Sequence, residues 1–256
     1  MAGWNFIKRT STYYDVVAMK GKIKLPASFY EKPYSGGNAK NHGILLHPEQ
    51  YFAFNLGSIA FDAGVLAMDG TYYLFIGGTL FATDGSMIDS TSGYSWKSVL
   101  CGYAAEMLLE VEITTAAVTA KIKNSSGTTT FASISITPRS STLYILQGGV
   151  QASSMITWAF NKKTVGGENY DETHKLFPQG YYFSETSFKE VTIYRAANKT
   201  LPLSLHAFST VNINFDDVTT SPPLSLPSSV TKTVDTSTAL TDKVSATATC
   251  ISCVKP

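Results

Sequence analysis

The feature that most constrains this chain is a two-residue rhythm, interrupted roughly every 8 to 14 residues by turn-forming sequence. Leu109, Val111 and Ile113 alternate with Glu110 and Glu112, and Val118, Ala120 and Ile122 alternate with Thr119, Lys121 and Lys123. Successive side chains of a strand point to opposite faces, so each run reads as a strand with one face in a core and the other in water. The same reading covers Tyr14 to Leu25, Tyr51 to Phe61, Gly64 to Met68, Thr71 to Ile76, Phe131 to Ile136, Leu143 to Leu146 and Met155 to Phe160. Tyr181 to Phe183, Phe188 to Tyr194 and Val211 to Phe215 complete the set. Asp69-Gly70 lies between two apolar runs, a strong hairpin signal, because a tight turn needs positive φ at both central positions. Asn124-Ser-Ser-Gly127 reads as a further turn, and Pro138 ends the strand before it.

No stretch keeps the apolar spacing of a helix for three turns. The best helical candidate is Ser98 to Leu109, predicted to give at most two turns. Alternation of this kind belongs to antiparallel sheets, since parallel strands read as continuous apolar runs. The predicted fold is therefore all-β: an antiparallel β-sandwich, with a jelly roll as its topology. Residues 1–218 are assigned to the sandwich, with 26–50 an irregular excursion rich in Pro and Gly. Residues 219–256 form a Pro/Ser/Thr-rich C-terminal arm that opens with Ser221-Pro-Pro-Leu-Ser-Leu-Pro227. Pro-rich sequence extends and spaces modules apart. Beyond it, Val230 to Val234 and Val244 to Cys250 alternate like strands. Such an arm cannot bury a core alone, so it is expected to add strands to an exposed sheet edge.

Composition narrows the function classes. Charged residues are only 15% of the 256 and the net charge is +1, so there is no basic field to displace counterions from nucleic acid. Lys20, Lys22 and Lys24 alternate with Gly21 and Ile23, which reads as the solvent face of a strand. No apolar run approaches the roughly 20 residues of a membrane-spanning helix. The N-terminal sequence shows no signal peptide, and the three cysteines do not form a disulfide framework, so synthesis in a reducing cytoplasm is expected.

The motifs that carry chemistry are few. Cys250-Ile-Ser-Cys253 lacks the further ligands of a zinc site, and its flanks are strand-like rather than the helix start that activates a thiol. His42, His47, His174 and His206 are scattered and read as surface or loop residues. Glu110 and Glu112 lie about 7 Å apart along one strand face. That spacing permits two-carboxylate chemistry, but a solvated sheet face explains it better. Asp216-Asp217 is too small a cluster for calcium, which takes six or more oxygens. No catalytic residue, metal or cofactor is assigned. The best recognition surface is the loop from Asp84 to Trp96, whose Asp84, Asp89, Tyr94 and Trp96 are candidate glycan-binding residues. Aromatic faces stack on sugars while Asp and Ser bond hydroxyls. Glu168 to His174 is a second candidate loop.

Residues from about 50 to 195 resemble concanavalin-like jelly rolls of the laminin-G type. The resemblance rests on Leu109-Glu-Val-Glu-Ile113, Val118-Thr-Ala-Lys-Ile-Lys123, Asn124-Ser-Ser-Gly127, Leu143-Tyr-Ile-Leu-Gln-Gly-Gly149 and Phe188-Lys-Glu-Val-Thr-Ile-Tyr-Arg195. It implies a hairpin before a Gly-rich strand and a late strand that closes the sheet beside an arginine. The family's calcium ligands have no counterpart here, so a metal-dependent lectin is not expected. Modules of this type bind glycans or proteins and recur in tail, fibre and head-decoration proteins of bacteriophages, which this cysteine-poor, Ser/Thr/Gly-rich chain looks like. The expectation is a non-enzymatic virion protein that oligomerises, with copies of itself or other virion proteins as partners and a cell-surface glycan as a further one. A free-standing lectin is the alternative, and a glycoside hydrolase or lyase on the same fold comes third.

Overall fold

The computed structural model describes residues 2–30, 46–57, 59–68, 71–78, 97–138, 140–160, 163–165, 168–170, 182–216 and 230–248. Its strands are β1 (Ala2–Ser11), β2 (Val16–Lys24), β3 (Phe29–Tyr30), β4 (Leu46–Leu56), β5 (Ile59–Met68) and β6 (Thr71–Gly77). They continue as β7 (Lys97–Leu100), β8 (Met107–Ile113), β9 (Val118–Asn124) and β10 (Thr130–Ile136). After a helix, α1 (Ser140–Gln147), come β11 (Gln151–Phe160), β12 (Lys163–Val165), β13 (Glu168–Tyr170), β14 (Tyr182–Arg195) and β15 (Asn198–Ser204). A short 3-10 turn at His206–Phe208 leads to β16 (Ser209–Asp216), and β17 (Val230–Asp235) and β18 (Thr241–Ala248) close the series.

Two large antiparallel sheets pack face to face, so the fold is an all-β, jelly-roll-like sandwich. One has seven strands in the order β16-β1-β11-β4-β5-β6-β7. The other has nine, along β10-β9-β8-β2-β14-β18-β17, with β15 and β3 also on β14. The β5–β6 register runs down to Met68↔Thr71, a two-residue connection that agrees with the Asp-Gly hairpin signal. The Asn124 turn likewise closes, with the Gly127 N–H donating to the Asn124 carbonyl. The strands of the C-terminal arm form a hairpin, and β18 pairs with β14, so they extend the chain's own sheet.

The core lies between the sheets, where the inward residues of both interdigitate. Phe52 on β4 stacks on Phe188 of β14 at 5.2 Å, and Phe6 meets Phe183 edge-on at 5.8 Å. Each such ring, taken from water, stabilises the fold by about 1.5–3 kcal/mol. One charged pair crosses this layer. Arg9 on β1 donates from Nε and Nη2 to the two carboxylate oxygens of Asp242 on β18, at 2.8 and 2.7 Å. Burial alone would raise the Asp242 carboxyl, but these bonds outweigh it and hold the group below its usual range. His206 lies 3.6 Å from Asp242 Oδ2, beyond hydrogen-bonding distance, and is mostly covered rather than a surface residue.

Several local readings are corrected. Ser98 to Leu109 is not helical: it divides into β7, an irregular stretch and β8. Tertiary pairing claims both ends, since the Cys101 N–H bonds the Tyr72 carbonyl and Met107 and Leu109 turn into the core. Leu143 to Leu146 is helical, not a strand, so the Gly-rich strand implied by the laminin-G resemblance is absent there. A four-residue apolar run is ambiguous by period alone. Its flanks decide, with Ser and Thr at the start and Gly148-Gly149 at the end. Gly149 takes φ +87° and its N–H caps the Leu146 carbonyl, a position where a Cβ would run into the Asp15 backbone. Tyr181 lies outside the described residues; Tyr182, Phe183 and the run Phe188 to Tyr194 belong to the single strand β14, which sits inside its sheet rather than closing it. The irregular excursion ends earlier than residue 50, because β4 begins at Leu46.

Candidate functional site

Asp84, Asp89, Tyr94 and Trp96 lie outside the described residues, as do Asp171 to His174 of the second candidate loop; Glu168 to Tyr170 form β13. Cys250, Cys253 and Asp217 also lie outside them. Cys101 is half-buried, and burial pushes its thiol up to about 11, the wrong direction for a nucleophile. Among the described residues no group of three or more His, Cys, Asp and Glu could hold a metal ion.

Glu110 and Glu112 sit on the outer face of the nine-stranded sheet, as the solvated-face reading expects. Glu110 lies between Lys20 at 3.2 Å and Lys123 at 2.7 Å. Partial burial would raise its carboxyl, but the two ammonium groups prevail and keep it below the ordinary range. Lys22 and Lys24 pair with Glu190 and Glu185 at 2.8 and 2.9 Å. This face is a lattice of matched opposite charges.

The outer face of the seven-stranded sheet is built differently. Register places three rungs across it, about 7 Å apart along the strands. The first runs Thr10, Ser153, Ala53, Asp62, Gly77 and the second Lys8, Met155, Tyr51, Gly64, Phe75. The third runs Asn5, Thr157, Glu49, Leu66, Tyr73, Leu100. Tyr51, Leu66, Phe75 and Met155 form a second apolar cluster, separate from the main core. Tyr51 and Phe75 meet edge-on at 6.1 Å across the strand that carries Gly64. A Cβ on Gly64 would run into the backbone of Gln50 and Tyr51, so this rung accepts glycine alone at that position.

Two acids flank this aromatic rung, Glu49 on one side and Asp62 on the other. Glu49 is 3% exposed and Thr157, directly opposite it, 2%. Glu49 Oε1 and Thr157 Oγ1 are both buried without a hydrogen-bond partner. Each unmade bond costs about 1–3 kcal/mol. Burial pushes the Glu49 carboxyl up to about 8, and the charge of Asp62 acts in the same direction. Burial also raises Asp62, to about 7, against the pull of Lys8. Asp62 and Tyr73 retain partial exposure and Asn55 is exposed, so the face opens toward solvent at its edge. At neutral pH Glu49 is a neutral acid, able both to donate and to accept a hydrogen bond.

These residues were not singled out from sequence. The signal was present: β4 carries aromatics on both parities, Tyr51 against Phe52 and Phe54, and β6 does the same with Tyr73 and Phe75 against Leu74 and Ile76. Such strands are covered on both faces.

No family model matches this chain, and no curated protein sequence does. Among solved structures it is similar to Rv0315, described as an immunostimulatory antigen and pseudo β-1,3-glucanase of Mycobacterium tuberculosis. That likeness has 8% identity and a TM-score of 0.35, and covers 61% of this chain and 65% of the other. A functionally unknown protein from Saccharomyces cerevisiae is similar over 59% of this chain and 73% of its own, with 11% identity and a TM-score of 0.30. The chain thus spans somewhat under two thirds of the first of these proteins. Among the described residues no helix is long and apolar enough to cross a membrane.

Proposed function

We propose that this chain is a non-enzymatic structural protein of a virus particle, a phage fibre, decoration or tail component, which oligomerises and recognises a surface glycan. The observation that carries the recognition half is the outer face of the seven-stranded sheet. There an aromatic pair is flanked by two acids with raised pKa values and by a buried, unpartnered hydroxyl. Tyr51 and Phe75 are themselves covered, so the part of this face that a sugar can reach is its rim, where the ring of Tyr73 and the polar groups of Asp62 and Asn55 meet solvent. A cysteine-poor β-sandwich rich in Ser, Thr and Gly supports the assembly half.

A glycan array probed with the purified chain tests the recognition. Binding is expected, with Asp62→Ala weakening it at least tenfold. Loss with Trp96→Ala but not with Asp62→Ala moves the site to the Asp84–Trp96 loop, and binding to no glycan removes the recognition half.

A further inference from the structure

We propose that β16 is a self-recognition edge, through which two copies of this chain pair their β16 strands antiparallel about a two-fold axis at Asn212. This names the contact behind the oligomerisation in the proposed function and rests on that part of the reading alone. Four strands end the two large sheets: β16 and β7 in one, β10 and β17 in the other. An open edge is a template for another chain, and proteins guard it with charge, proline, brevity or cover.

Three of the four are guarded. β7 has four residues and begins with Lys97. β10 lies against β6 and β7 of the opposite sheet, where the sandwich closes. β17 carries Lys232 in its middle. β15, beside β14, contains Pro202. By contrast, β16 reads Ser-Thr-Val-Asn-Ile-Asn-Phe-Asp: eight residues without Lys, Arg, Pro or Gly, and with one charge, Asp216, at its end. Among the described residues nothing pairs with its outer side. Val211 and Ile213 are opposite Arg9 and Ile7 in the register with β1, yet they stay 39% and 43% exposed. The sheet therefore overhangs its partner at this edge and leaves an apolar strip uncovered.

The occupant follows from the sequence of the strand. In an antiparallel pairing centred on Asn212, Val211 of each copy faces Ile213 of the other on one surface of the joined sheet. The four side chains close into one apolar cluster, of the β-branched cross-strand kind that stabilises sheets. On the opposite surface Asn212 faces Asn212, and Thr210 faces Asn214. The two Asp216 positions fall at opposite ends of the joined strands, so no like charges are set opposite each other in the register. The contact is isologous and closed, giving a dimer rather than a fibre. It merges two seven-stranded sheets into one continuous sheet.

Sedimentation equilibrium on the full chain tests this. A dimer is expected at micromolar concentration, and Ile213→Lys, on an exposed position that the fold tolerates, should weaken it at least tenfold with an unchanged circular dichroism spectrum. Leu201→Lys, at an exposed site on β15, should leave the dimer intact. A monomeric wild type, or a dimer indifferent to Ile213→Lys, overturns the proposal. Asn212→Cys supplies a check that needs no loss of stability. Across the two-fold its sulfurs meet at disulfide distance, so mild oxidation should give a covalent dimer that the wild type and Thr210→Cys do not. Absence of that cross-link also overturns it. Glycan binding by the Ile213→Lys monomer is expected to persist, so failure of this contact and failure of glycan recognition are separately visible.

Discussion

The two outer faces of this sandwich use the same residue types to opposite ends. On the nine-stranded sheet three glutamates meet lysines: Glu110 with Lys20 and Lys123, Glu190 with Lys22, Glu185 with Lys24. On the seven-stranded sheet Glu49 and Asp62 stand beside an aromatic cluster instead, and burial pushes their carboxyls up. A carboxyl among cations is a fixed charge that solubilises a surface. A carboxyl desolvated among rings is a neutral, adaptable hydrogen-bonding group, and that is what recognition requires. Neighbours, rather than residue identity, separate the scaffold side from the candidate binding side.

The largest expected effect is a pH dependence that differs in sign between the faces. Glu49 is raised from 4.5 to about 8, so its protonated form is favoured in the folded state. The stability it contributes is full below about 4.5 and is lost as pH rises through about 8. At about 1.4 kcal/mol per unit, this amounts to something on the order of 5 kcal/mol. Urea midpoints measured from pH 5 to 9 should fall for the wild type and flatten for Glu49→Gln. A flat wild-type profile would erase the contrast.

Next comes packing. Phe75 on the seven-stranded sheet is fully buried, so Phe75→Ala should cost about 3–5 kcal/mol. Phe131, at the irregularity of β10 in the other sheet, is 40% exposed, so Phe131→Ala should cost no more than about 1 kcal/mol. Equal losses in thermal melts would mean that both faces are ordinary surface. The smallest effect is electrostatic. A double-mutant cycle with Glu110→Gln and Lys20→Met should give a coupling of about 0.5–1 kcal/mol that shrinks with salt. Here the sign reverses. Glu110 is held below 4.5, so its contribution is present above that pH and is lost as pH falls.

The charged face was legible in the sequence as a wet face, although its ion pairs from Lys20, Lys22 and Lys24 reach strands far away in the chain. Glu110 and Lys121 face each other across one hairpin, and the alternation of β8 and β9 states which side is wet. The aromatic face was not, because its rungs join residues from β1, β4, β5 and β11 that lie far apart in the chain. Alternation in β4 cannot say which parity faces the core when both are apolar. The antiparallel sandwich itself follows from local alternation and turn chemistry, whereas α1 was hidden in a run too short for its period to show. Nothing in β16 alone marks it as an edge. That needs the strand order.

The Arg9–Asp242 bridge also has a temporal side. Its partners are separated by 233 positions. At a synthesis rate of about 5–20 residues per second, a guanidinium destined for the interior waits roughly ten to fifty seconds for its carboxylate. Until then the site of β18 is open and Arg9 faces water, so it is the docking of the last hairpin that buries the charge, and that hairpin brings the carboxylate with it.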